Sequence, residues 1–255
     1  MSRTHIVIPD QHSHPDHNND RADWLSKLIL DVKPDVVVNL GDAADMPSLS
    51  SYDKGKRNFV GRSYRKDIEA HLEFQERLWE PIRQRKKKMP FSIVLEGNHE
   101  HRVERALDLS PELSGTIGFN DYKFDEYYDE VVRYKGSTPG VYEIDDILFA
   151  HYFITGVSGR PISGDRAGHM LIDKVGSSCV AGHLHTFDYA TRTNINGQVR
   201  NGLVAGVYQD YDSDWAGNIN HLWRSGVCVL RNVHEGDYDL QWCSIGALKK
   251  EYGTS

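Results

Sequence analysis

The chain opens with a short apolar run, "HIVIP" (5–9), and a second, "DVVVNL" (35–40), comes after a stretch with a different rhythm. Continuous runs of β-branched residues this short predict strands covered on both faces. Between them Ala22, Leu25, Leu28, Ile29 and Val32 recur at helical spacing and stop before Pro34. That segment predicts a helix, and the three pieces together a βαβ unit. A second long helix is predicted from about Asp67 to Lys87 on the stripe Ile68, Leu72, Leu78, Trp79 and Ile82, with Pro81 as a kink or an end. "FSIVL" (91–95) then supplies a third strand.

After Gly140 the pattern changes. "VYEIDDILFAH" reads as a hairpin, "RAGHMLIDKV" as a short helix and "SSCVAG" as another buried strand. From Tyr189 onward "YATRTN", "VRNGLVAGV", "SGVCVL" and "YDLQWCSI" alternate or carry β-branched residues, separated by the turn signals "NG" and "HEGD". An α/β first half running into a strand-rich second half suits two sheets packed face to face with helices outside. No internal repeat, low-complexity tract or Pro/Ser-rich linker divides the chain, so a single domain is expected over residues 1–250, with 251–255 as a tail.

Composition narrows the class. At 255 residues, with 39% hydrophobic and 26% charged, the chain can bury a core without disulfide or metal staples. No apolar stretch approaches the ~18 residues a membrane span needs, and "MSRTHIVIPD" lacks the features of a secretory signal. A cytoplasmic protein without membrane partners is expected. Cys179, Cys228 and Cys243 sit in apolar runs without CxxC spacing and read as buried structural residues. The net charge of −7 argues against bulk adhesion to nucleic acid or anionic membrane. Two local clusters run against it. "KGKRNFVGRSYRK" (54–66) holds six Lys or Arg with Phe59 and Tyr64 among them, a composition that suits either a solvated face or a nucleic-acid-binding loop. "RQRKKK" (83–88) reads as cations closing a helix.

The chemistry lies at the end of each buried run. "IVIPD" ends in Asp10-Gln11-His12, "VVVNL" in Gly41-Asp42, "SIVLE" in Gly97-Asn98-His99-Glu100, "ILFA" in His151 and "SCVA" in Gly182-His183-Leu184-His185. In a mainly parallel sheet these ends converge on the edge where open α/β folds place their ligand crevice. Carboxylate, amide and imidazole donors without thiolate suit Mn, Fe, Zn, Ni or Co.

D-x-H, G-D, G-N-H-E, H and G-H-x-H, in that order over residues 10–185, resemble the calcineurin-like metallophosphoesterase superfamily. The resemblance implies an α/β, four-layer αββα sandwich of two mixed β-sheets flanked by helices, in agreement with the pattern above. It also implies two divalent transition-metal ions, with Mn the first choice. Asp10, His12 and His185 would hold one, Asn98, His151 and His183 the other, and Asp42 would bridge them. Two such ions about 3.5–4 Å apart activate a bridging hydroxide for in-line attack on a phosphodiester or phosphomonoester. His99 is then the expected general acid. Asp45 in "GDAAD" matches the carboxylate that orients this histidine in the protein-phosphatase branch.

The sequence departs from that branch at Met46, where the branch carries a phosphate-binding arginine, and this disfavours a protein phosphatase. Arg102 could replace the clamp, and His14 and His17 crowd the first motif and could reach the substrate or support a ligand, whereas His101, His169 and His221 have no assigned role. The aromatic stretch 118–136 reads by default as core packing, and "DYDSDWAG" (210–217) lacks the Gly and Glu of a calcium loop. The alternative to a small-molecule phosphoesterase is a DNA or RNA nuclease of the same superfamily using loop 54–66. A silent scaffold is less favoured, since all seven ligand positions are filled.

Overall fold

The computed structural model describes residues 2–85 and 88–253. Two mixed sheets form its centre. The strands are β1 (Arg3–Ile8), β2 (Val36–Asn39), β3 (Phe91–Leu95), β4 (Glu130–Val132), β5 (Val141–Ile144), β6 (Ile147–Ala150), β7 (Ile154–Thr155), β8 (Arg160–Pro161), β9 (Ser178–Ala181), β10 (Phe187–Thr193), β11 (Val199–Ala205), β12 (Gly226–His234) and β13 (Asp237–Ser244). The helices are α1 (Asp20–Val32), α2 (Tyr64–Arg85), α3 (Arg102–Leu109), α4 (Phe124–Tyr127), α5 (Ala167–Val175) and α6 (Ile245–Tyr252). The first sheet runs β13-β12-β1-β2-β3-β4, the second β10-β11-β9-β6-β5, and β7-β8 is a small separate ribbon. Strands β1 to β4 pair in parallel, as do β6, β9 and β11.

The alternation of side chains across the strands builds four layers. On β1, Ile6 and Ile8 face a cluster with Leu25 and Ile29 of α1, Phe74 and Leu78 of α2 and Leu248 of α6. Val7, between them, faces the other way, into an inter-sheet core with Phe149, Val180 and Leu203 of the second sheet. Leu171 of α5 packs on the far side of that sheet with Cys179 and Val204. The four-layer sandwich expected from the sequence is the fold. Tyr122, Phe124, Tyr127 and Tyr128 belong to the first cluster, so most of the aromatic stretch is core.

Helix limits obey local chemistry. Lys33 adopts a left-handed conformation ahead of Pro34, and its N–H caps Ile29, ending α1. Helix α2 starts at Tyr64, three residues before the sequence suggested, because the Ser63 carbonyl takes the Asp67 N–H. Pro81 neither ends nor breaks it within the described turns, and Lys86 and Lys87 lie outside the described residues. Helix α6 carries the chain past residue 250: Lys27 Nζ donates to the Tyr252 carbonyl at 2.7 Å and the Tyr252 hydroxyl bonds Asp31 at 2.9 Å. Thr254 and Ser255 of the expected tail lie outside the described residues. Among the described residues no helix is long and apolar enough to cross a membrane.

Candidate metal centre

The carboxyl ends of β1, β2 and β3 in one sheet and of β6 and β9 in the other open on the same place. Backbone bonds stitch the loops together. Gln11 and His12 donate N–H groups to the Asp42 carbonyl (3.0 and 2.8 Å), Gly182 donates to the His151 carbonyl (3.0 Å), and the His183 N–H reaches the Asp10 carboxylate (3.0 Å). Such approach requires glycine at two positions. A Cβ on Gly97 would fall 2.2 Å from Asp42 N, and one on Gly182 would fall 2.3 Å from Asp10 Oδ1. His12, Asp42, His183 and His185 all have left-handed backbones (φ 45°, 48°, 67° and 61°). Each such non-glycine conformation costs on the order of 1–3 kcal/mol and is characteristic of functional sites.

Three donor groups result, each with its ligand atoms within 4.8 Å of one another: Asp10, His12 and His185; His12, Asp42 and His99; Asp42, His151 and His183. His185 Nε2 lies 3.1 Å from Asp10 Oδ2 and 3.0 Å from His12 Nε2. His151 Nε2 lies 2.9 Å from Asn98 Oδ1 and 3.4 Å from Asp42 Oδ2. Of the expected ligands, all seven therefore meet here.

Hydrogen-bond accounting shows that the set fits a cation. His151 Nδ1 sits 2.9 Å from the Leu40 carbonyl, which can only accept, so that nitrogen carries the proton. In the neutral ring the Nε2 lone pair then faces two further acceptors, Asn98 Oδ1 and Asp42 Oδ2. Three acceptors aimed at one buried point repel unless a proton or a metal ion lies among them. The donors are hard oxygens and imidazoles, the mixture borderline divalent metals take.

The ionisation pattern agrees. Burial opposes charge on Asp42, but His151 and His99 overcome it and hold the carboxyl well below the usual range. Asp10 is lowered in the same way, against burial, by His185 and His151. His151 is pushed up to about 9, burial again opposing and Asp42 winning, while burial and His151 push His183 down to about 4. Buried carboxylates that stay ionised need a positive partner, which the imidazoles supply when protonated and a cation would supply when they are neutral.

Around this centre the expected auxiliary residues take up defined places. Asp45 Oδ1 is 3.1 Å from His99 Nδ1 and 3.2 Å from His12 Nδ1, so one carboxylate faces both rings. The Asp45 backbone carbonyl also takes His99 Nδ1 at 2.7 Å. Arg102, at the start of α3, donates to the Asp45 and Met46 carbonyls (2.7 and 3.1 Å) and to His99 Nε2 (2.9 Å). His14 stands at the rim, its Nε2 3.6 Å from Asp45 Oδ2. His101 instead contacts the buried Glu96 at 3.0 Å.

Two residues have structural parts that the sequence did not disclose. The buried Glu100 carboxylate accepts N–H groups from Asp42, Ala44 and Gly97 (2.9, 2.9 and 2.8 Å), locking two ligand loops to each other. Burial and Asp42 push its carboxyl up to about 7. Arg21, fully buried on α1, donates to the Gln11, His12 and Tyr208 carbonyls and holds the first ligand loop from behind. Glu100 was visible only as the last letter of G-N-H-E, and Arg21 only as a polar position on an amphipathic helix.

The glycine contact gives a direct expectation. Gly182→Ala should displace Asp10 and weaken metal binding at least about tenfold by calorimetry, the scale of disturbed metal-supporting contacts, while circular dichroism shows the fold retained.

Comparison with known proteins places these features. Residues 4–228 match the family model of the calcineurin-like phosphoesterases. The chain is 28% identical over 240 residues to the Gene 54 protein of Mycobacterium phage L5, covering 93% of this chain and 83% of that one. One crystal structure aligns at 10% identity and a TM-score of 0.45 over 96% of this chain and 99% of its own. The crystal structure of TT1561 of Thermus thermophilus aligns at 9% identity and a TM-score of 0.38, over 95% and 99%.

Proposed function

The chain belongs to the calcineurin-like phosphoesterase family, and from that premise we propose that this metal-dependent hydrolase acts on a phosphodiester through two ions held side by side. The observation that carries the reading is that Asp42 belongs to two donor groups at once, one with His12 and His99 and one with His151 and His183. In the proposed assignment Asp10, His12 and His185 hold one ion, Asn98, His151 and His183 the other, and Asp42 lies between. Manganese is the preferred metal. When bound, the ions would lower the pKa of a water and neutralise phosphate charge.

The protein's own residues supply position and protons. His99 stands beside Asp42, its Nε2 3.8 Å from Oδ2, within reach of a leaving group without being required as a ligand. Asp45 fixes the ring from the Nδ1 side. The preference for a diester rests on cations. Met46 is fully buried and apolar where a phosphate clamp would stand, and Arg102 is committed to three protein acceptors. A monoester dianion needs more fixed positive charge than a diester monoanion.

A nuclease is the second reading, and one observation favours it. The loop that leads into α2 is anchored beside the centre by Arg62, which donates at 2.9 Å to Asp53 and to the carbonyl of Pro47, two residues from Asp45. Lys54, Lys56 and Arg57 are exposed on it, Lys56 3.6 Å from Asp53, and Arg65 is exposed in the first turn of α2, paired with Glu69 at 2.7 Å. A panel of chromogenic mono- and diesters, nucleotides and DNA, assayed with Mn, Ni, Zn and Mg, is expected to show metal-dependent turnover at least about tenfold higher on diesters. A preference for monoesters would contradict the assignment.

A further inference from the structure

Beside His185 the chain carries apolar surface that the fold does not use. Trp215 is 68% exposed, Leu222 67% and Ile219 52%. All three come from one segment, which includes a 3-10 turn at Gly217–Leu222. Its half-buried Trp223 meets the His185 ring edge-on at 4.3 Å, and Trp215 lies 5.6 Å from Trp223. The two indoles therefore lead outward from a residue of the donor cluster to solvent.

The segment is built, not loose. Asn220 bonds Ser213 in both directions at 3.0 Å and also donates to the Gly217 carbonyl. The Arg224 N–H donates to the His185 carbonyl at 3.0 Å, pinning the segment to the ligand loop itself. Exposed Trp215 beside half-buried Trp223, with Ile219 and Leu222 also exposed, makes a contiguous apolar surface of the kind that marks an interaction site.

We propose that Trp215 and Trp223 form a stacking shelf for the bases of a single-stranded nucleic acid whose scissile phosphate lies at the donor cluster. The inference rests on the phosphoesterase reading and names its substrate class. Indole faces accept any base, because every base has a π-face, and each stack contributes sequence-tolerant affinity. A base joined to the bound phosphate through one sugar falls on the ring next to His185, and its neighbour on the ring beyond. The exposed cations of loop 54–66, anchored on the Asp45 side of the cluster, complement a polyanion in a protein whose net charge is −7. In the reaction a water oxygen bonds to phosphorus, the bond from phosphorus to the leaving sugar oxygen breaks, and that oxygen takes a proton.

The test is fluorescence anisotropy of a labelled oligothymidylate and of an abasic strand of equal length, with the full chain in Ca²⁺ at two salt concentrations. Trp215→Ala is expected to weaken oligothymidylate binding about tenfold, the scale of one base–aromatic stack, with the abasic strand affected less than about twofold and Trp215→Phe restoring most of the loss. Equal weakening on both strands, or none on either, would overturn the shelf. So would binding to anionic lipid vesicles without binding to the strand. Manganese-dependent hydrolysis of a small base-free diester by the unaltered protein separates the two claims. If that ester is cleaved but no strand binds, the shelf alone is wrong; if the strand binds through Trp215 but no ester is ever cleaved, the phosphoesterase reading fails.

Discussion

Asp42→Asn is expected to bind fewer than two metal ions per chain and to lose phosphoester hydrolysis by at least about a hundredfold, more than a disturbed outer contact costs. The geometry explains why one residue matters so much. Asp42 Oδ2 lies 3.4 Å from His151 Nε2, 3.8 Å from His99 Nε2 and 4.0 Å from His12 Nε2, so its charge is shared by every part of the centre. Two adjacent divalent ions would repel, and the negative charge of a carboxylate held between them would offset that repulsion. The amide keeps the shape and one acceptor oxygen but carries no charge. The His99 N–H that now reaches Asp42 Oδ1 at 2.8 Å would keep a partner, so the fold should survive. Metal analysis together with a thermal melt separates loss of the ion from loss of structure. Unchanged stoichiometry and rate would remove Asp42 from the bridging role.

His99→Ala should do the opposite to metal and a comparable harm to rate. The expected outcome is two ions still bound, and a fall in turnover of about 10²–10⁴ on an alkyl leaving group, with a much smaller fall on a nitrophenolate. A good leaving group departs as an anion and needs no proton; a sugar or alkyl oxygen does. In the resting geometry the Asp45 carbonyl takes the proton on Nδ1, while Arg102 donates to Nε2, so the nitrogen nearest Asp42 has its lone pair capped. Burial and then the Arg102 charge lower the pKa of the ring, which favours its neutral form. For His99 to act as an acid through Nε2, Arg102 must release that nitrogen and the nitrogen must first take up a proton, since the neutral ring carries its only proton on Nδ1. The same rate loss on good and poor leaving groups would show that His99 serves binding instead of proton transfer.

The long-range plan was readable because it depends on patterns with a single physical meaning. Continuous β-branched runs such as "DVVVNL" must be covered on both faces, and Val7 against Ile6 and Ile8 shows how the two cores share one strand. The polar residues at the ends of those runs had to lie together once the strands were parallel. What the sequence could not supply was anything decided by loop conformation. Asp45 reads as a partner for His99, yet its carboxylate faces His12 equally, because the loop turns through left-handed Asp42 and Met46. Glu100 and Arg21 work on backbone N–H and carbonyl groups, and such groups are identical in every residue, so no spacing announces them. Trp215 and Trp223 lie in a segment with neither period 2 nor period 3.6, and their relation to His185 exists only once Arg224 has bonded its carbonyl.

The central claim is that two metal ions sit side by side, sharing Asp42. The most direct measurement is a manganese titration of metal-stripped protein monitored by electron paramagnetic resonance. Two equivalents bound per chain, with the exchange-coupled spectrum of neighbouring ions, is the predicted result. A spectrum of isolated manganese at every loading, or binding that saturates below two equivalents, would contradict it.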